Sequence, residues 1–191
     1  LTHNAVSSNN RFMVDTEAPR VDNFTIDDAL LTIGDNATVD LEFSEAVIGF
    51  TAADITNPNG SLPSMSSSDS GINWTGTFTP NVDTEVASNT LSLGINSYTD
   101  LAGNNGPAET TSNYEVDTKR PTVSSFTFSV TDNTTFLDNT SNTFPALKPG
   151  DNATVSLEFS EKVLSFLSAA DITADNVDLD NMTSNDNRTW T

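Results

Sequence analysis

The chain carries one segment twice. "GDNATVDLEFSE" begins at Gly34 and "GDNATVSLEFSE" at Gly150, and each is followed by "AADIT", from Ala52 and from Ala169. "VDTEAP" at Val14 returns as "VDTKRP" at Val116, so Asp117 lies 102 residues after Asp15. That period is the size of one sandwich domain, and such recurrence marks each copy as a structural unit of its own. The two glycines are 116 residues apart, so the second copy has 14 extra residues within "VTDNTTFLDNTSNTFPALKP". That stretch is polar and rich in turn formers, and reads as a surface loop or a lengthened hairpin.

Inside the first copy, strand signals come at short intervals separated by Gly, Asn, Asp and Pro. In "ATVDLEF" from Ala37, Val39, Leu41 and Phe43 alternate with Thr38, Asp40 and Glu42, which predicts a strand with one buried face. The second copy keeps the rule with Val155, Leu157 and Phe159. Further expected strands are "VDNFTI" from Val21, "AVIGF" from Ala46, a short piece at "DIT", "SLPSM" from Ser61, "INWTGTF" from Ile72, "NTLSLGI" from Asn89 and "SNYEV" from Ser112. Helical periodicity is absent. The fold class expected is all-β, as tandem Ig-like antiparallel β-sandwiches, with a barrel as the alternative. A hydrophobic content of 35% suits small, thin domains, and eleven Phe argue against a disordered tail.

The matching segments set the expected boundaries. "SSNNRFMVDT" from Ser7 matches "TTSNYEVDT" from Thr111, so residues 1–14 are expected to be the last strand of a preceding repeat. Residues 15–117 form a complete repeat, and 118–191 form a second one with its insertion near 131–149. Trp190 matches Trp74, so the second repeat is expected to lack its final two strands, which in the first bring inward Leu and Tyr. Donation of those strands by another chain is the alternative, for which the opening segment offers one strand containing Phe12 and Val14.

Charge excludes one class of partner. With 27 acidic and 7 basic residues the formal charge is −20, and such a surface repels phosphate, so nucleic acid is not expected. Dense carboxylates attract cations, although an acidic surface also suits a salty medium. There is no cysteine, which fits a reducing compartment or a bacterial surface protein stiffened by other means. No apolar run approaches a membrane span, so membrane insertion of this segment is not expected, and any leader or anchor is expected outside it.

"VDTEAPRV", "LEFSEAVIGFTAADIT", "GTFTP" and "SYTDLAGN", in that order, resemble the Ig-like repeats of large bacterial surface adhesins, including biofilm-associated and RTX-type adhesins. The resemblance covers nearly the whole chain. It implies a long extracellular stalk of stacked sandwiches on a bacterial cell surface, projecting a binding region and often stiffened by calcium at the joints. Its partners would be neighbouring repeats of the same chain and, through other regions, a cell-surface or matrix receptor. Lys119 and Arg120 depart from the acidic or small residues usual at a joint.

Calcium takes six to eight oxygen ligands, and a joint between sandwiches gathers several segments that can each bring one. The candidate ligands are Asp15 and Glu17 in the first linker, Asp117 in the second, Asp100 and Asn104 in "TDLAGN", and Glu45 with its equivalent Glu161 after "FS". Each also fits turn capping through backbone N–H groups, as do Asp54 and Asp171 in "AADIT". No EF-hand or nonapeptide calcium motif occurs. Trp74 and Trp190 alternate with apolar neighbours and are expected in the core rather than as sugar platforms. Enzymatic activity is not expected: His3 is the only histidine and lies in the opening segment, and without cysteine there is no thiol nucleophile. The expected function is a stalk spacer; a carbohydrate- or receptor-binding module and an accessory domain of a secreted hydrolase are the rivals.

Overall fold

The computed structural model describes residues 14–130, 135–137, 143–145, 147, 150–174 and 178–191. The chain divides into two compact units, Leu1–Lys119 and Arg120–Thr191. The expected strand at 1–14, apart from Val14, and most of the insertion at 131–149 lie outside the described residues.

Unit 1 is built from short strands: β1 (Val21–Ile26), β2 (Leu30–Thr32), β3 (Ala37–Phe43), β4 (Val47–Ile48), β5 (Ile55–Thr56), β6 (Gly60–Ser61), β7 (Met65–Ser67), β8 (Asn73–Pro80), β9 (Glu85–Asn89), β10 (Ser92–Leu93), β11 (Thr99–Asp100), β12 (Glu109–Thr110) and β13 (Tyr114–Asp117). A 3-10 turn at Ala52–Asp54 precedes β5. The alternation read from the sequence is realised in β3, where every second residue from Ala37 to Phe43 is buried. β3 lies between β1 and β8, antiparallel to both, with a bulge in β1 at Val21–Asn23.

Facing it are β2–β13–β9, β12–β10–β5 and β11–β4. β13 runs parallel to β2, the one parallel pair among the described residues of a unit expected to be antiparallel throughout. The core gathers Val39, Leu41 and Phe43 with Leu91, Leu93, Tyr98, Tyr114 and Val116. Aromatic rings interlock across it: Phe43–Tyr98 centroids are 4.6 Å apart and Phe78–Tyr114 5.5 Å. The tyrosine hydroxyls donate to backbone carbonyls of Pro107 and Pro58, and burial pushes both phenols up to about 12. Gly60 lies against the Phe78 ring, where any Cβ would fall on the ring itself. Trp74 packs at the edge of Phe50 (4.9 Å) and donates to the Gly71 carbonyl, in agreement with a core role.

The strand expected at "SLPSM" is two pieces, β6 and β7, flanking Pro63, which has no N–H to give a ladder. "AVIGF" reduces to β4, and β2, β9, β11 and β12 were not legible, because such short strands are selected by their partners rather than by local pattern.

Unit 2 contains β14 (Val123–Val130), β15 (Thr135–Leu137), β16 (Thr143–Pro145), β17 (Ala153–Phe159), a helical turn at Ser168–Asp171 and β18 (Thr189–Trp190). β15 and β16 form an antiparallel hairpin with Phe136 opposite Phe144. β14 pairs with β17 in the register of β1 with β3: Phe126 faces Leu157 as Phe24 faces Leu41, and the bulge recurs at Val123–Ser125. Trp190 stands opposite Leu157 as Trp74 stands opposite Leu41. Among the described residues the buried hydrophobics here are Leu157, Phe166 and Met182, with Phe166 edge-on to Trp190 at 5.1 Å.

The contrast in burial predicts a contrast in cost. Phe78→Ala should lower unfolding free energy by about 3–5 kcal/mol, as for large-to-small changes in a packed core. Phe128→Ala, at a site 53% exposed, should cost less than about 1 kcal/mol in the same denaturant titration.

Candidate metal centre

Asp100 ends β11, opposite Val47 of β4, and its side chain is fully buried. Its Oδ1 accepts the N–H groups of Ala102 (2.8 Å) and Asn104 (2.9 Å), and its Oδ2 accepts Asn104 Nδ2 (2.7 Å). The turn needs a left-handed residue, which Gly103 provides at φ +94°. Asn104 Nδ2 also donates to the carbonyls of Glu17 (3.0 Å) and Asp15 (3.3 Å). "TDLAGN" is therefore a clasp that folds on Asp100 and holds the incoming chain.

A second staple brings Glu45 to the same place. Ser44 accepts the Arg20 N–H on its Oγ (2.9 Å) and donates its own N–H to the Arg20 carbonyl (2.9 Å). In unit 2, Ser160 repeats both bonds with Thr122. As a result one carboxylate oxygen from each of Asp15, Glu45 and Asp100 lies within 4.8 Å of the other two. None of the three forms an ion pair with Lys or Arg among the described residues; Arg20 turns to Glu17 (3.3 Å) and Asp22 (3.9 Å).

The acids respond in opposite directions. Glu45 is raised above its ordinary value, first by burial and then by the charges of Asp100, Asp15 and Glu17, with Arg20 opposing. At Asp100 burial acts to raise the carboxyl, but the hydrogen bonds from Asn104, Gly103 and Ala102 together outweigh it and hold the group low.

Of the seven candidate ligands, Asp15, Glu45 and Asp100 converge. Glu17 adjoins them through its carbonyl while its carboxylate faces Arg20, and Asn104 is the clasp. Asp117 sits in β13 of unit 1, opposite Glu85 and Thr32, with Oδ1 buried and accepting no hydrogen bond. Glu161 follows Ser160 in unit 2, half-buried. Asp54 caps its turn by accepting the Thr51 N–H (2.7 Å), and Asp171 accepts the Leu167 N–H (2.8 Å). His3 lies outside the described residues.

Sequence reasoning missed two further aspartates. Asp69 accepts the N–H groups of Ile72 and Asn73, and Asp186 those of Arg188 and Thr189, each just before the tryptophan strand. Hydrogen bonds hold both at about 2, led at Asp69 by the Asn73 side chain and at Asp186 by the Thr189 N–H. The signal was a Ser-x-Asp triplet before each Trp, Ser67 to Asp69 and Ser184 to Asp186.

Residues 15–116, 102 of the 191, match the family model described as bacterial Ig-like domain. No curated protein and no solved structure matches the chain.

Because the folded Asp69 and Asp186 carboxyls titrate below the ordinary 3.8, their stabilisation is complete above that value and is lost as pH falls towards about 2. In Asp69→Asn, unfolding followed by urea titration between pH 5 and pH 2 should show a shallower acid loss of stability than the parent chain.

Proposed function

The chain belongs to the bacterial Ig-like domain family, and from that premise we propose that it is a spacer of a bacterial surface adhesin. In this reading it is a non-catalytic, extracellular stalk segment with calcium held where the polypeptide enters unit 1. The observation that carries the cation is the convergence of the Asp15, Glu45 and Asp100 carboxylates with no basic partner among the described residues. The donor set fits a hard cation: three carboxylates, with the carbonyls of Asp15 and Glu17 held alongside by Asn104, and neither sulfur nor imidazole among them. Asp15, Glu45 and Asp100 would bind calcium, with water completing six to eight ligands, and the ion would neutralise their mutual repulsion.

The mechanical role follows from what these residues tie together. Asp15 belongs to the chain entering unit 1, Glu45 follows β3, and Asp100 ends β11, so one ion would fix the incoming segment to two points of the sandwich. Pro19 is buried there and restricts its own φ and the residue before it, removing hinge freedom. A spacer works by resisting bending, and a segment clamped at its base transmits direction from one domain to the next.

At calcium about 100 times its dissociation constant the folded state should gain about 2.7 kcal/mol, read as a higher melting temperature in calcium than in chelator. Glu45→Gln should remove that gain. It should also raise the melting temperature in chelator at pH 7, because a carboxyl whose folded pKa is raised disfavours the folded state once ionised; below the ordinary 4.5 the benefit should vanish. Equal melting of the parent chain in calcium and in chelator, or a gain that survives in Glu45→Gln, rejects the calcium site. For the spacer role, X-ray scattering should give a larger maximum dimension in calcium than in chelator.

A further inference from the structure

Two Asn-Gly pairs stand in unit 1, Asn59-Gly60 and Asn105-Gly106, and packing dictates the glycine in both. A Cβ on Gly60 would fall on the Phe78 ring, and one on Gly106 on the Tyr98 ring, so neither core aromatic leaves room for another residue. A glycine also leaves its own backbone nitrogen open to the asparagine side chain before it, since no Cβ shields the peptide. The core thereby fixes two bonds at which an asparagine can lose its amide.

The two pairs differ in what holds the glycine nitrogen. Gly106 is buried and donates its N–H to the Tyr98 carbonyl at 3.0 Å. Gly60 pairs with Pro80, which has no N–H to return, so the ladder bonds fall to either side of this pair. Asn81 donates to the Asn59 carbonyl at 2.9 Å, and the Gly60 N–H points away from β8. Asn59 is half-buried, in a turn after Pro58, with left-handed backbone at φ +58°. Its side chain is held at one point, where Nδ2 donates to Asn89 Oδ1 at 2.6 Å. Asn89 is buried, and both hydrogens of its own Nδ2 are committed, to the carbonyls of Val86 (3.0 Å) and Tyr114 (3.2 Å).

We propose that Asn59 is a site of spontaneous deamidation in the folded unit, gated by Asn89. When the Asn59 side chain swings off Asn89, the Gly60 nitrogen, its proton taken by hydroxide, attacks Asn59 Cγ. The N–Cγ bond forms as the Cγ–Nδ2 bond breaks, and Nδ2 takes a proton from water and leaves as ammonia. Water then opens the five-membered imide at either carbonyl, which leaves aspartate or isoaspartate at this position. A carboxylate replaces the donor that faced Asn89 Oδ1, and Asn89 cannot turn an N–H towards it without giving up Val86 or Tyr114. The Tyr114 hydroxyl holds the Pro58 carbonyl of the same turn (3.2 Å), so the change loosens the turn from β13.

Peptide mapping by mass spectrometry tests this on the folded 191-residue chain held at mildly alkaline pH, with chymotryptic fragments reporting the two sites separately. Asn59 should show the mass gain of deamidation about fivefold faster than Asn105, the weight of the one hydrogen bond that keeps the Gly106 nitrogen in place. In concentrated urea the two rates should converge, because both sites are then free Asn-Gly bonds. Asn89→Ala should speed the loss at Asn59 alone, and Asn105 is the internal control, since unfolding of that variant would speed both. Asn59→Asp, which reproduces one product, should melt below the parent chain at neutral pH. Equal rates at the two sites in the folded parent chain, or a faster loss at Asn105, overturn the proposal. A folded Asn89→Ala chain that loses the Asn59 amide no faster than the parent overturns the gating.

Discussion

A β-sheet with one apolar face must have that face covered, and this requirement organises unit 1. Val39, Leu41 and Phe43 of β3 present a continuous apolar surface with Phe24 and Phe78 beside it. The covering layer brings Leu91, Leu93, Tyr98, Tyr114 and Val116, and their burial provides the main favourable term of folding. The layer has a further consequence. Because Tyr98 packs on Phe43, the turn that follows it is drawn to the end of β3, next to the residue that succeeds Ser44. The convergence of Asp100 with Glu45 is thus a by-product of core closure, and the carbonyls that Asn104 holds bring Asp15 to the same point.

The acidic residues divide by what their oxygens meet. Asp69, Asp186 and Asp100 accept backbone N–H groups and titrate low, which marks them as builders of turns. Glu45 meets other carboxylates and titrates high. Asp100 belongs to both groups: its hydrogen bonds keep it ionised in a buried setting, and that fixed charge is part of what raises Glu45. One residue type therefore serves two purposes, and a cation-binding reading gains weight where carboxylates face one another.

Unit 2 repeats the pairing of β1, β3 and β8 down to the bulge, and among the described residues no second layer covers it. The same apolar alternation that builds the core of unit 1 leaves Phe126 and Val123 exposed among the described residues of unit 2.

The repeated segments, the period-2 alternation in β3 and β17 and the acidic balance were all legible in the amino-acid order, since each is a local or one-dimensional pattern. The same was true of the family-like order of motifs and of the residue types able to hold calcium. Strands of two or three residues such as β4 and β11, the parallel pairing of β13 with β2, and the division of aspartates between turn and cluster were not. Those features depend on which distant partner a backbone meets. Asp15, Glu45 and Asp100 are separated by 30 and 55 residues in sequence, and only the packing of Tyr98 on Phe43 and the clasp of Asn104 bring their oxygens together, because proximity of charges is a property of the closed sandwich and not of any segment within it.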